Sequence, residues 1–182
     1  MKIHNVFLLQ GSNKGNRKKY LDDSLNLICK YIGSTIKISS YFESTAWNMK
    51  NETMNFYNRV LQMNTIHSPI FLLDKILSIE YKIGRTCIKK ENINNRILGK
   101  KKLMYYENRE IDIDILFYDN IILNSPVLTI PHPMLHLRRF VLVPMSEINP
   151  KKSHPVFNMT IIEILGACSD TILIKKLINH KS

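Results

Sequence analysis

Cysteine is scarce in this sequence, and Cys29, Cys87 and Cys168 lie far apart without the CxxC spacing of a zinc or redox motif. Local sequence therefore excludes a disulfide framework or a zinc cluster, and the pattern suits a reducing compartment. Long apolar runs are also missing. None approaches the roughly 20 residues that cross a membrane, and residues 6–9 are too short for the apolar core of a signal peptide. We therefore expect a soluble, cytoplasmic protein without a membrane partner.

Glycine-rich phosphate loops are missing as well. The six glycines form neither a GxxxxGK[ST] motif nor a GxGxxG motif, the patterns whose backbone N–H groups hold nucleotide phosphates. Any phosphate chemistry would therefore depend on side chains and metal ions. The sequence also has no repeat and no Pro/Gly/Ser-rich linker, and its 182 residues suit one domain with a sizeable core.

Acidic residues are in the minority: the chain has 15 Asp and Glu residues and 26 Lys and Arg residues, so its net charge is +11. The lysines are scattered along the chain, whereas a nucleic-acid-binding surface needs them on one face. We expect no nucleic-acid partner, and a nucleoside triphosphate is another anion that would use the positive charge. An RNA-binding domain of ferredoxin-like topology is the alternative, although no strand carries the K/R-G-F/Y-G/A-F-V-x-F/Y pattern of an RNA-recognition motif.

The apolar periodicity predicts both helices and strands. A helix is predicted over residues 17–32, with Gly33 as the residue that follows its C-cap. A second helix begins at Pro69 and ends before Gly84. Strands are predicted at residues 3–9, 35–42, 56–66 and 110–118, and short C-terminal helices at residues 161–165 and 172–178.

This order of elements describes an α+β fold. We expect a ferredoxin-like antiparallel sheet with helices packed on one face, plus the short C-terminal helices. The first strand is expected to stop at a turn formed by residues 11–13. Residues 86–108 lack periodicity and are rich in Lys, Asn and Arg, and a charged loop of this length in a compact domain is usually functional or disordered.

The strand predicted at residues 110–118 carries the carboxylates of Asp112 and Asp114 within a buried-strand pattern. Side chains alternate along a strand, so Ile111 and Ile113 would point to one face and Asp112 and Asp114 to the other. Two carboxylates so placed repel each other unless a cation lies between them, and Mg²⁺ prefers carboxylate oxygens. From this segment alone, the exposed edge of an amphipathic strand is the more common explanation.

Other candidate residues lie near the ends of predicted elements, where functional sites are generally built. Arginines match phosphate oxygens bidentately, and arginines together with metal ions stabilise a phosphoryl group during transfer. Glu80 occupies the last turn of a helix, where an acidic residue is electrostatically unfavourable, so it is either functional or simply exposed. The further candidates are Arg85, Arg109, Arg138, His132, Trp47, Phe56 and Phe140.

The chain resembles a known family through an ordered series of motifs over about its first 150 residues. The matching segments are GSN at 11–13, SSYFESTAW at 39–47, FYN at 56–58, IEYKIGR at 79–85, NREIDIDILFY at 108–118 and IPHPMLHLRRFVLVPMSEINP at 130–150. Together they resemble the 6-hydroxymethyl-7,8-dihydropterin pyrophosphokinases of folate biosynthesis.

The resemblance implies a single pyrophosphokinase domain spanning residues 1–182. It would transfer pyrophosphate from ATP to 6-hydroxymethyl-7,8-dihydropterin and release AMP, and we expect a monomer whose partners are these two substrates. Two Mg²⁺ ions would be held by Asp112 and Asp114, and the catalytic set would be these aspartates together with Arg85 and Arg109.

The resemblance also assigns the substrate contacts. The ATP site would include Glu80, Ile115, Thr129, His132 and Arg138. The pterin would stack between Phe56 and Phe140, with its polar edge near Ser44, Trp47 and Asn58. The sequence departs from the family's pattern in the basic loop, where Cys87 replaces a second arginine and residues 105–108 replace an Arg-Trp-Gly-Pro run.

Overall fold

The computed structural model describes residues 2–47, 54–84 and 108–177. The strands of this part are β1 (His4–Ser12), β2 (Gly33–Ile38), β3 (Phe42–Ser44), β4 (Phe56–Thr65), β5 (Asp112–Tyr118), β6 (Leu123–Asn124), β7 (Thr129–Ile130) and β8 (Ile174–Lys176). Its helices are α1 (Arg17–Tyr31), α2 (Pro69–Ile83), α3 (Arg139–Ile148) and α4 (Ile161–Ala167), and a 3-10 turn covers Leu135–Leu137. None of these helices is long and apolar enough to cross a membrane.

The main sheet is antiparallel and has the strand order β5-β1-β4-β3-β8, with β2 also paired to β4. This confirms the predicted α+β fold with an antiparallel sheet. The strand predicted over residues 35–42 is split into β2 and β3. Between them the Ser39 amide donates to the Val60 carbonyl at 2.9 Å, and the Ser39 hydroxyl accepts from the Val60 amide at 2.9 Å.

Helices cover both faces of the sheet, so the expectation that they lie on one face is wrong. The reason is visible in β1, where consecutive apolar residues are all buried. Val6 and Leu8 pack in a core with α1 and α2, whereas Phe7 and Leu9 pack in a second core with α3 and α4. A strand with apolar residues on both sides needs a layer on each side to remove them from water.

Two predictions about individual elements are also wrong: the helix at residues 172–178 and the turn at residues 11–13. Residues 172–178 do not form a helix, because Ile174–Lys176 is strand β8, which pairs with β3 through Phe42↔Lys176 and Ser44↔Ile174. The strand β1 continues through Gly11 and Ser12 rather than stopping at a turn there. The other C-terminal helix, α4, is confirmed at its expected position and starts with a capping box made by Thr160 and Glu163.

Gly33 is needed for a reason that differs from the predicted one. It is the first residue of β2, and a Cβ at this position would lie 1.9 Å from the Asn64 carbonyl oxygen of β4. The close approach of two strands therefore requires glycine here. Gly84 does end α2 in the predicted way, in the left-handed conformation with φ of 116°.

The substitution Gly33→Ala should lower the free energy of unfolding by about 3 kcal/mol, because the strand backbone must move to admit the methyl group. Gly166→Ala is the matched control. Nothing lies within 4 Å of a Cβ at Gly166, and alanine in a helix should stabilise the protein by about 0.5–1 kcal/mol. Urea denaturation followed by circular dichroism measures both changes, and equal stabilities of the two variants would contradict the described strand contact.

A buried arginine links α1 to the sheet. Arg59 of β4 is 3% exposed. Its Nε donates to Gln10 Oε1 at 2.8 Å, its Nη1 to the Tyr41 hydroxyl at 2.8 Å and its Nη2 to the Leu21 carbonyl at 2.7 Å. The Tyr41 hydroxyl donates in turn to the Asp22 carboxylate, and burial together with this bond raises the pKa of Tyr41 to about 12.

Candidate active site

A pocket opens on the face of the sheet that α3 covers, with about 500 Å³ of empty space including its mouth. We call it the front pocket. It lies where β1, β3 and β4 come together with the start of β5. All the side chains that the motifs assign to the pterin line it: Ser44, Trp47, Phe56, Asn58 and Phe140.

The two aspartates of β5 also line the front pocket, while Ile111, Ile113 and Ile115 are buried on the other face of the strand. The predicted alternation of this strand is therefore present as far as Ile115, and its polar face is a pocket wall rather than an open edge. Phe117, expected on the same face as the isoleucines, instead packs in the second core beyond a register shift between β1 and β5. Arg109 Nη1 donates to Asp112 Oδ2 at 2.8 Å, so a cation already offsets part of the repulsion between the two carboxylates.

The start of β5 is held against the end of β1 by Asn13. Asn13 Oδ1 accepts from the Arg109 amide at 2.8 Å, and the Asn13 amide donates to the Arg109 carbonyl at 3.1 Å. Asn13 Nδ2 donates to Asn108 Oδ1 at 2.7 Å. The sequence predicts a turn at GSN, and nothing in its local pattern indicates this role of Asn13, although the motif itself was an available signal.

The amide of Asn58 is fixed by its neighbour on β3. Asn58 Nδ2 donates to Ser44 Oγ at 2.9 Å, and both residues are buried. Gly11 lies opposite Asn58 across the β1–β4 ladder, and a Cβ there would lie 3.3 Å from Asn58 Oδ1 and 3.7 Å from the Phe56 ring. The missing side chain of Gly11 therefore keeps the floor of the pocket open beside the amide and the ring.

Arg138 brings positive charge to the aromatic side of the pocket. Its guanidinium carbon is 4.8 Å from the centre of the Trp47 ring and 5.7 Å from that of Phe140. The residue is 9% exposed, and its Nε is buried without a hydrogen-bond partner in the described part of the chain. A buried guanidinium with an unused donor is suited to an anionic or strongly polar ligand.

Glu80 is buried rather than exposed, at 2% exposure. Its Oε1 accepts from the Ile113 amide at 2.7 Å, which joins the last turn of α2 to the β5 backbone between the two aspartates. The alternative of a simply exposed helix residue is therefore wrong. Glu80 and the core residue Ile115 do not line the front pocket, and Arg85 lies outside the described residues.

Thr129 and His132 line a second pocket, together with His136 and His154. His154 is 4% exposed and stacks on Phe157 with ring centres 4.4 Å apart. Burial, assisted by the nearby His136 and by a lysine, lowers the pKa of His154 to about 4, so its ring is neutral near pH 7. Within residues 2–47, 54–84 and 108–177, no group of three His, Cys, Asp or Glu side chains is placed to hold a metal ion.

The front pocket combines two carboxylates, two arginines and flat aromatic rings. Carboxylates and arginines are the groups that bind a polyphosphate and its metal ions, and aromatic faces bind a planar ring. An α+β domain with this pocket is a group-transfer enzyme of the kinase type, which moves a phosphate-containing group onto a ring-bearing acceptor.

The chain belongs to the 7,8-dihydro-6-hydroxymethylpterin-pyrophosphokinase family, whose model matches residues 7–150. The 2-amino-4-hydroxy-6-hydroxymethyldihydropteridine pyrophosphokinase of Aquifex aeolicus is 34% identical over 87% of this chain and 88% of its own length. The folic acid synthesis protein fol1 of Pneumocystis carinii is 33% identical over 86% of this chain, which spans only 19% of that longer relative.

A solved structure shares the fold. The crystal structure of an HPPK-DHPS protein in complex with substrates superimposes with a TM-score of 0.71 at 15% identity, and the match covers 92% of this chain and 43% of that one. Family membership confirms the prediction of a pyrophosphokinase in folate biosynthesis. It does not favour the RNA-binding alternative.

Proposed function

We propose that this protein transfers the terminal pyrophosphoryl group of ATP to the hydroxymethyl oxygen of 6-hydroxymethyl-7,8-dihydropterin and releases AMP. The observation that carries the proposal is the front pocket, where all the side chains assigned to the pterin lie beside Asp112, Asp114 and Arg109. A ring bound there would present its hydroxymethyl group to a triphosphate bound on the aspartate side. We further propose that residues 1–182 act as one domain and as a cytoplasmic monomer, without nucleic acid.

The pterin would be held by stacking and oriented by hydrogen bonds. Phe56 and Phe140 line the pocket, and aromatic faces stack on flat rings in an offset arrangement. A pterin carries an amide-like edge that needs both donors and acceptors, and the Asn58 side chain supplies both. Because Ser44 Oγ accepts from Asn58 Nδ2, the amide is set in one orientation before the ring arrives.

The triphosphate would be bound by the polar face of β5 and by arginines. Asp112 and Asp114 offer hard oxygen ligands side by side, which fits two Mg²⁺ ions whose remaining ligands are phosphate oxygens and water. When bound, such ions neutralise the triphosphate and polarise the phosphorus that is attacked. Arg109 would hold phosphate oxygens next to the aspartates, because Asn13 fixes its backbone at that point. Arg138 would place a second guanidinium across the pocket.

The rest of the ATP site is assigned by the sequence motifs. Glu80 accepts a hydrogen bond from the Ile113 amide, and through this bond it would fix the β5 backbone beside the two aspartates. The nucleoside part of ATP would extend toward the residues farther along the chain. Ile115 lies farther along β5, and the segment that follows β6 contains Thr129 and His132. Arg85 completes the proposed catalytic set from outside the described residues.

Product analysis tests the proposal directly. The protein incubated with Mg-ATP and 6-hydroxymethyl-7,8-dihydropterin should form AMP and the pterin diphosphate in equal amounts. The 6-methyl analogue, which lacks the hydroxyl, is the matched control and should give no AMP. Formation of ADP would reject pyrophosphoryl transfer. Steeply salt-dependent RNA binding without ATP turnover would instead favour the RNA-binding alternative.

A further inference from the structure

Arg17, the first residue of α1, contacts the strands that carry the pterin side chains. Its Nη1 donates to Glu43 Oε1 at 3.1 Å and to the Asn55 carbonyl at 2.7 Å. Its guanidinium carbon lies 3.7 Å from the centre of the Tyr57 ring. The Arg17 side chain is 17% exposed and that of Glu43 25%, so the ion pair is partly shielded from water. One side chain thus joins β3, β4 and the residue just before β4.

These contacts lie directly behind the front pocket. Glu43 and Tyr57 are partners in the β3–β4 ladder, and the next pair, Ser44 and Phe56, ends it. Because side chains alternate along a strand, Glu43 and Tyr57 face α1 while Ser44 and Phe56 face the pocket. The Arg17 side chain therefore contacts the β3–β4 ladder on the face opposite the pocket. It does so at the Glu43–Tyr57 pair, which is next to the Ser44–Phe56 pair that lines the pocket.

The ladder is short at this point, and the strand β8 that pairs with the other edge of β3 also has only three residues. The strand β3 has three residues, and its pairing with β4 extends over Phe42–Ser44 only. Strand ends open readily unless side chains hold them. Arg17 also occupies an electrostatically unfavourable position, because the first turn of α1 contains no acidic residue and the N-terminus of a helix repels cations. The contacts with Glu43, Asn55 and Tyr57 account for an arginine at that place.

We propose that Arg17 is a positioning residue for the pterin. By fixing the Glu43–Tyr57 pair from the α1 side, it holds Ser44, Phe56 and Asn58 at the spacing that binds the ring. This inference rests on the proposed function. Arg17 does not line the front pocket, and it contacts Glu43, Asn55 and Tyr57 on the α1 side of the β3–β4 ladder, so its effect should fall on the pterin and not on ATP.

The variant Arg17→Met keeps most of the side chain's volume and removes its charge and donors. We expect its Kd and KM for the pterin to rise about tenfold, with kcat and the KM for ATP within twofold of the wild type. The matched control is Lys19→Met, which removes a cation from the same helical turn and breaks the exposed Lys19–Asp23 pair. Its pterin affinity should be unchanged.

The measurements are fluorescence titration of the pterin in the presence of a non-hydrolysable ATP analogue, and steady-state rates with each substrate varied. Unchanged pterin affinity in Arg17→Met, or an equal rise in the KM for ATP, overturns the inference. If Arg17→Met does not fold, as judged by circular dichroism, Glu43→Gln supplies the same test with the arginine retained, and an unchanged pterin Kd in that variant also overturns the inference.

Charge reversal gives a readout that a merely structural role would not produce. Glu43→Arg alone should weaken pterin binding, and the double variant Arg17→Glu with Glu43→Arg should recover part of the affinity by restoring the ion pair. Absence of any recovery counts against the inference. Failure of the wild type itself to bind the pterin or to form AMP would instead overturn the proposed function, so the two failures are distinguishable.

Discussion

Replacement of either Asp112 or Asp114 by asparagine should lower kcat on the order of 1000-fold, because each is a metal ligand under the proposed function and its loss removes several kcal/mol of stabilisation from the transferring phosphate. The fold should survive the change. Both side chains line the front pocket, whereas the isoleucines on either side of them carry the packing of β5. Asparagine has nearly the same shape as aspartate, so the loss would report the missing charge.

The measurement is AMP formation at saturating substrates over a range of Mg²⁺ concentrations, with thermal unfolding followed by circular dichroism. Asp23→Asn is the matched control, because Asp23 pairs with the exposed Lys19 on the outside of α1. It should keep the wild-type rate. Near-normal turnover in both β5 variants would refute the metal assignment, and removal of Mg²⁺ by a chelator should stop the wild-type reaction completely.

The substitution Arg59→Met should produce the largest loss of stability, about 3–4 kcal/mol in the free energy of unfolding. Methionine fills much of the space but leaves Gln10 Oε1 without its buried donor. It also removes one of the donors to the Leu21 carbonyl, which keeps its bonds from Gln10 Nε2 and Ser24 Oγ. Unsatisfied buried acceptors cost about 1–3 kcal/mol each. The Tyr41 hydroxyl would lose a donor as well, although it keeps its bond to Asp22.

Urea denaturation at pH 7 measures this loss. Lys19→Met is the control here also, since exposed ion pairs contribute about 0–1 kcal/mol. A loss below about 1 kcal/mol in Arg59→Met would show that the network around Arg59 does not anchor α1. Because Arg59 lies on the α1 side of β4 and does not line the front pocket, folded Arg59→Met protein should retain activity at low temperature.

The sequence predicts those parts of the fold whose signals are local. The helix α2 lies where Pro69 and Gly84 placed it, because the helix start and the left-handed stop are properties of single residues. The short apolar run at residues 172–178 fits a helix or a strand equally well. Its partner β3 is more than a hundred residues away, and only that pairing decides the outcome.

For the site too, the sequence predicts what depends on neighbouring residues and misses what depends on residues far apart in the chain. Periodicity placed Asp112 and Asp114 on one face of a strand but could not say whether a pocket or solvent lay in front of them. The motifs indicated the pterin residues. Arg17, Asn13 and Arg59 were missed because their partners are 18 to 96 residues away in the chain. No pattern within a short window contains such pairs.

The register of the sheet fixes a length within the active site. Asp112, Gly11 and Asn58 are paired across three adjacent strands, and neighbouring strands are separated by a constant distance, so the aspartate and the amide stand roughly 10 Å apart. Backbone hydrogen bonds set this span, and side-chain substitutions do not alter it. Under the proposed function, this span sets the distance between the amide that would orient the pterin ring and the carboxylates that would hold the metal ions.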